Sequence, residues 1–188
     1  MSCEAIASNI VSNCSTQKVG GLEVKAWIVP RADLIIDWDE TDTNMITGLS
    51  VKATKKAYTI TGVKQLLKAM SEAVVAEDRD DRWTHKYSLQ MFEWNAAAIQ
   101  NGNALNDVVV FVENKDKSTN GDGDFFCLGA KSGLFKATDT FDSSANSGAR
   151  LIELAGPAGG ETSLKYIVFK TGYAETLAML TALETIHA

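Results

Sequence analysis

Histidine and proline each occur only twice in these 188 residues, and cysteine three times. Each scarcity excludes something. Nucleophilic catalysis by Ser or Cys leans on a neighbouring base, most often histidine. Here His85 sits among alternating aromatics and His187 is the penultimate residue, so neither is placed for that chemistry. Two prolines against 14 glycines leave no Pro-rich linker and give the turns to glycine and small polar residues. Cys3, Cys14 and Cys127 are odd in number and show no CxxC spacing, so they read as reduced thiols outside any disulfide framework or zinc site. The opening MSCEAIASNIVSN lacks a basic stretch followed by an apolar run, so no secretory signal is expected and assembly is placed in a cytoplasm. No segment approaches the ~20 apolar residues of a membrane-spanning helix. A basic surplus is missing too. Eighteen Lys and Arg against 24 Asp and Glu give a net charge of −6, which speaks against a nucleic-acid-binding face. Acidity does suit a surface that nucleic acid must pass without sticking.

What is present is an ordinary globular chain, 45% hydrophobic and 22% charged. At this length roughly 70% of the extended-chain surface can be buried, so no disulfide or metal is required for folding. Three parts are expected: an amino-terminal arm over 1–21, a β domain over 22–173 and a terminal helix over 174–188. The arm is rich in Ser, Asn and small residues and ends at Gly20-Gly21. LEVKAWIV then alternates, with Leu22, Val24, Ala26 and Ile28 on one face, until Pro30. DLIIDWDE, TGLSVKAT and AYTIT follow as a system of hairpins with an acidic end and a basic one. Residues 62–77 change period: Val63, Leu66, Leu67, Met70 and Val74 fit an amphipathic helix, with Thr61 as its N-cap.

WTHKYSLQMFEW is the clearest strand, since Trp83, His85, Tyr87, Leu89 and Met91 alternate with polar residues. Asn95 can cap a short helix, and VVVFVEN reads as a buried strand paired with DFFCLGA across a Gly- and Asp-rich loop. GLFKAT, RLIEL and LKYIVF are further short strands. YAETLAMLTALETI closes the pattern as a helix with an apolar face through Leu177, Met179, Leu180, Leu183 and Ile186. The fold expected is therefore α+β, mainly β: a β-sandwich or barrel with one flanking amphipathic helix, a short helix and a C-terminal helix. No internal repeat is visible.

No catalytic or cofactor-binding residue is assigned. Gly156-Pro157-Ala158-Gly159-Gly160 lacks the lysine and hydroxyl of a phosphate loop, and Gly129 to Gly133 is not in a dinucleotide-binding context. The nearest thing to a metal site is DKSTNGDGDFFC. Asp116, Ser118, Asn120, Gly121 and Asp124 follow an EF-hand-like spacing, but Cys127 stands where a bidentate glutamate is needed, and a hairpin loop explains the same residues. Charge is distributed in blocks. Asp33, Asp37, Asp39, Glu40 and Asp42 form an acidic run without a base, while Lys52, Lys55, Lys56, Lys64 and Lys68 form a basic run without an acid. The two are candidates for complementary faces of a stacking protomer, the acidic one also for a lumen surface.

From about Trp83 to Phe169 the chain resembles the core of tail tube proteins of phages and contractile injection systems. The features are the strand WTHKYSLQMFEW running into a short helix, the pair VVVFVENKDKSTNGDGDFFCLGAKSGL with its turn at Gly129 and Gly133-Leu134, and RLIELAGPAGGETSLKYIVF. The resemblance implies a non-enzymatic virion protein whose copies form stacked, hexameric rings around a hollow tube. Its partners would be itself and other tail and connector proteins, with DNA passing through unbound and no membrane contact. Assembly would take place in the host cytoplasm and the product would reside in the virion tail. Alternative readings are a tail terminator, head–tail connector or capsid-decorating protein, and, from another class, a small hydrolase or calcium-dependent binding domain.

Overall fold

The computed structural model describes residues 20–61, 67–76, 80–92, 95–144 and 148–186. The arm up to residue 19 with Cys3 and Cys14, and also Val63, Lys64, Leu66 and His187, lie outside these. Among the described residues the chain forms β1 (Leu22–Pro30), β2 (Leu34–Trp38), β3 (Met45–Val51), β4 (Tyr58–Thr61), β5 (Lys68–Val74) and β6 (Arg82–Met91). After α1 (Ala96–Asn103) come β7 (Val108–Asn114), β8 (Phe125–Leu128), β9 (Phe135–Phe141), β10 (Arg150–Ala155), β11 (Tyr166–Val168) and α2 (Tyr173–Ala182).

The strands make two sheets, one of seven strands in the order β2-β3-β11-β8-β7-β1-β4, the other of four in the order β5-β6-β10-β9. They pack face to face through Ala26, Ile28, Val110, Val112, Phe126 and Leu128 on one side and Tyr87, Leu89, Ile152 and Leu154 on the other. The opposite face of the seven-stranded sheet carries a second core. There Trp27, Val29, Phe111, Phe125, Tyr166 and Val168 meet Met179, Leu180 and Leu183 at the carboxy-terminal end of α2 and just after it. The architecture is thus a mainly-β sandwich with a helix on its outer side, as expected from the many short strands.

Sequence pattern explains most elements. Every residue of β7 from Val108 to Glu113 is buried, because cores lie on both its faces. Strand β6 keeps its alternation, with His85, Tyr87 and Leu89 inward. Asn95 caps α1 as expected: its Oδ1 accepts from the Ala98 backbone N–H at 2.8 Å. The turn between β8 and β9 places Gly133 at φ +73, where a Cβ would stand 2.1 Å from Asp107 Oδ1. Only glycine fits that point. In α2 Met179 and Leu180 are buried, and so is Leu183, while Ile186 is exposed and does not belong to the packed face.

Three expectations fail. Residues 68–74 are a strand, not the flanking amphipathic helix: β5 pairs antiparallel with β6 from Lys68 opposite Ser88 to Val74 opposite Arg82. Its core-facing side is Ala69, Ser71 and Ala73, too small and polar to register as an apolar stripe, and a ten-residue partner supplies the hydrogen bonds that override helix propensity. The expected N-cap, Thr61, ends β4 instead, opposite Lys25. Strands β3 and β4 do not pair with each other either; β2 and β3 form a hairpin, whereas β4 joins β1 at the far edge of the sheet. Lastly, β1 buries both faces over Ala26 to Val29, and an irregularity between Leu22 and Ala26 leaves Val24 exposed.

Candidate functional site

The acidic run is divided by the fold. Asp33 lies in a short 3₁₀ turn before β2, with Oδ2 3.4 Å from Lys55 Nζ, and its carbonyl accepts from Lys52 N–H at 2.9 Å. It therefore sits at the basic end of the hairpin. Asp37 projects from β2 over Gly48 of β3. Asp39, Glu40 and Asp42 occupy the loop at the other end. There Asp39 Oδ1 accepts from Thr41 N–H (2.8 Å), Thr41 Oγ1 (2.7 Å) and Asp42 N–H (2.9 Å), and these bonds hold its carboxyl below the usual range. Three or four acids thus remain together on one edge hairpin.

The lysines do not form one face. Lys52, Lys55 and Lys56 lie between β3 and β4, Lys56 with its ammonium 5.6 Å from the Tyr58 ring centre. Lys68 belongs to the other sheet. A single basic surface opposite the acidic one is not assembled within the described residues.

In the 116–124 loop, Asp124 is buried and its Oδ1 accepts from Ser118 N–H at 2.5 Å, closing the turn through its own backbone. Ser118 Oγ donates to Asp122 Oδ1 at 2.8 Å. Cys127 points into the core behind α2, and burial raises its thiol pKa well above normal. Its side chain cannot reach a cation held by that loop. A shallow cavity of about 310 Å³ is lined by the loop and by Tyr173, against whose backbone Gly121 packs closely. Among the described residues no group of three His, Cys, Asp or Glu side chains converges as a metal site would need.

One polar cluster was not anticipated from the sequence. Glu161 is fully buried beside β6, its backbone paired in both directions with Trp83. Its Oε1 accepts from Ser132 N–H (2.9 Å) and Ser132 Oγ (2.6 Å), and its Oε2 from Tyr166 OH (2.9 Å) and Lys131 N–H (3.3 Å). His85, also fully buried, accepts from Gly129 N–H through Nδ1 at 3.1 Å, which assigns the proton to Nε2 for donation to the Ser163 carbonyl at 2.9 Å. Burial lowers the His85 pKa, against the pull of the Glu161 charge. Burial likewise pushes Tyr166 up to about 12. Every polar atom named here has a partner, so the cluster acts as a clamp holding the 156–163 loop to the β8–β9 turn across both sheets. What could have revealed it is the inward register of His85, since a buried imidazole must find two partners.

The four-stranded sheet presents the other distinctive geometry. Among the described residues its outer strands, β5 and β9, have no strand on their far side. Both are seven residues long. Because β5, β6, β10 and β9 are antiparallel at each step, the two edge strands run in opposite senses. Its outer face is mostly polar: Lys68, Ser88, Glu153 and Thr138 form one cross-strand row, Gln90, Leu151 and Thr140 lie in a second, and Met70 stands beside Lys86 in a third. No family model, curated protein or solved structure matches this chain.

Proposed function

We propose that this protein is a structural subunit of the tail tube type, whose copies close into rings and stack into a hollow conduit. The observation that carries the reading is the four-stranded sheet with two edge strands of equal length and opposite sense. Rotating copies about an axis brings β9 of one beside β5 of the next in antiparallel orientation, extending the same hydrogen-bond pattern from subunit to subunit. Closure of a ring satisfies edges that otherwise invite uncontrolled aggregation. The mostly polar outer face of that sheet would then line the lumen, with the net charge of −6 discouraging adhesion of DNA. On this arrangement the acidic β2–β3 loop belongs to the other sheet, so Asp39, Glu40 and Asp42 serve ring stacking or contact with outer tail proteins better than they serve the lumen.

The fully bonded state of His85 and Glu161 supports a clamp that stiffens the protomer, which fits a subunit bearing load and not a turnover site. Negative-stain electron microscopy over a concentration series, with light scattering, tests the proposal. Rings or tubes of uniform bore are the expected result. Single rings that never stack would favour a terminator or connector, and monomers at all concentrations would overturn assembly altogether.

A further inference from the structure

Beside β5 lies a groove of about 190 Å³ lined by Ala69, Met70, Ser71, Phe126, Leu164 and Lys165. Its lining is mixed: Ala69, Met70, Phe126 and Leu164 are apolar, Ser71 is polar, and the Lys165 ammonium lies 5.1 Å from the Phe126 ring centre, where a second aromatic ring could share it. Ala69 stands opposite Tyr87 of β6 and so faces the interior side of the sheet, and Phe126 comes from β8 of the other sheet. Leu164 is 47% exposed at its rim. At the opposite edge of the same sheet, Phe141 ends β9 and is 56% exposed. Phe141 is paired with Arg150, two residues before the core residue Ile152 on β10, so its ring lies on the same interior side as Ala69. One edge thus carries an aromatic knob and the other a mainly apolar hole, on the same face of one sheet.

We infer that the groove beside β5 receives Phe141 of a second copy of this chain, with β9 of that copy added to β5. This rests on the proposed function and names the contact that would make it. Directly opposed residues in a sheet share a face, so Phe141 must stand opposite Ala69, Ser71 or Ala73. Opposite Ala69, the ring enters the groove against Phe126 and Leu164, and Asp142 falls opposite Lys68 on the outer face. Opposite Ser71, Asp142 meets Met70 instead. Charge complementarity selects the first alignment. It also sets Thr140 against Met70 and Asp139 against Ser71. The occupant is another copy and not an arbitrary peptide because strand sense, strand length, knob and ion pair are all provided by the chain's own opposite edge.

The test uses the full chain with Cys3 and Cys14 replaced by serine, carrying Glu72→Cys and Thr138→Cys together, a directly opposed pair in this alignment that leaves Lys68, Asp142 and the groove intact. Opposed residues of antiparallel strands have Cα atoms about 4.5–5.5 Å apart, within disulfide range. Diamide as oxidant should therefore give an intermolecular ladder ending at the ring size, and neither single variant should go beyond a dimer. In the otherwise native chain, Phe141→Asp should raise the concentration needed for assembly at least ~10-fold, as loss of a central aromatic anchor does, with an unchanged circular dichroism spectrum. Rings or tubes that form without the ladder, and are indifferent to Phe141→Asp, would overturn this contact while leaving the tube proposal intact. A protein monomeric throughout, without cross-links, would overturn both. A ladder without tubes would uphold the contact and count against the conduit.

Discussion

The two sheets of this sandwich are built on different terms. The seven-stranded sheet is covered on both faces, by the smaller sheet on one and by α2 on the other, so its central strand β7 is hydrophobic along its length. Among the described residues the four-stranded sheet is covered on one face only, and its other face is mostly polar. The first sheet therefore holds the stability of the domain, while the second offers a surface and two edges with little of the core at stake. Under the proposed assembly, that division would let copies join edge to edge without drawing on the core that holds the fold.

Cutting into the covered sheet should do the most damage. Phe111→Ala, at a fully buried position in the core behind α2, should cost about 3–5 kcal/mol in urea unfolding, and a loss under ~1 kcal/mol would break the contrast. Next comes the clamp between the sheets. Glu161→Ala strips partners from Ser132, Lys131 and Tyr166 and should cost about 3 kcal/mol. It should also expose the 156–163 loop to limited proteolysis, and an unaltered digestion pattern would remove the clamp.

Acid should act more gently and through His85. Its folded pKa is lowered by burial, so above the unfolded value near 6.5 the group contributes nothing to pH dependence. Below 6.5 the unfolded chain binds the proton more readily, and stability falls as pH drops toward the folded pKa. Titration of the imidazole by NMR should give a midpoint under 6.5, and one above it would show that the ring is not held neutral. Asp139 behaves likewise further down. Hydrogen bonding from Arg150 first, and Lys136 with it, depresses its carboxyl to about 2, so that contribution persists until the pH falls below about 4. The smallest effect belongs to the open face: Gln90→Ala should change unfolding free energy by no more than about 0.5 kcal/mol.

The same contrast explains what could be read from the residues beforehand. Strand β6 is half covered, so alternation at His85, Tyr87 and Leu89 announced it. In β7 the unbroken run Val108 to Val112 announced a strand with two buried faces. Strand β5 failed because Ala69, Ser71 and Ala73 give the inner face almost no hydrophobic signal, while Leu67, Met70 and Val74 happen to fall at helical spacing. Separation in sequence hid the rest. Nothing near His85 reveals that Glu161 and Ser163 will close over the same cluster, and nothing near Asp33 reveals its partner Lys55. The acidic and basic runs looked like two faces because linear charge blocks carry no record of which edge each strand will take.

The three-residue strand β11 has a consequence for how the chain acquires its shape. It lies between β3, which it meets in parallel at Met45 and Ile46, and β8, which it meets antiparallel. Among the described residues, and in the hydrogen-bond order of the sheet, the β2–β3 hairpin reaches the remaining strands only through it. A hairpin complete by residue 51 must therefore wait until the ribosome has made residue 168 before it can be stitched into place. Synthesis of that span takes on the order of seconds, against microseconds for hairpin formation. Until then the acidic edge hairpin lacks its hydrogen-bonded neighbour, and the core it shares closes only when Met179, Leu180 and Leu183, made later still, join Ile46 and Val51.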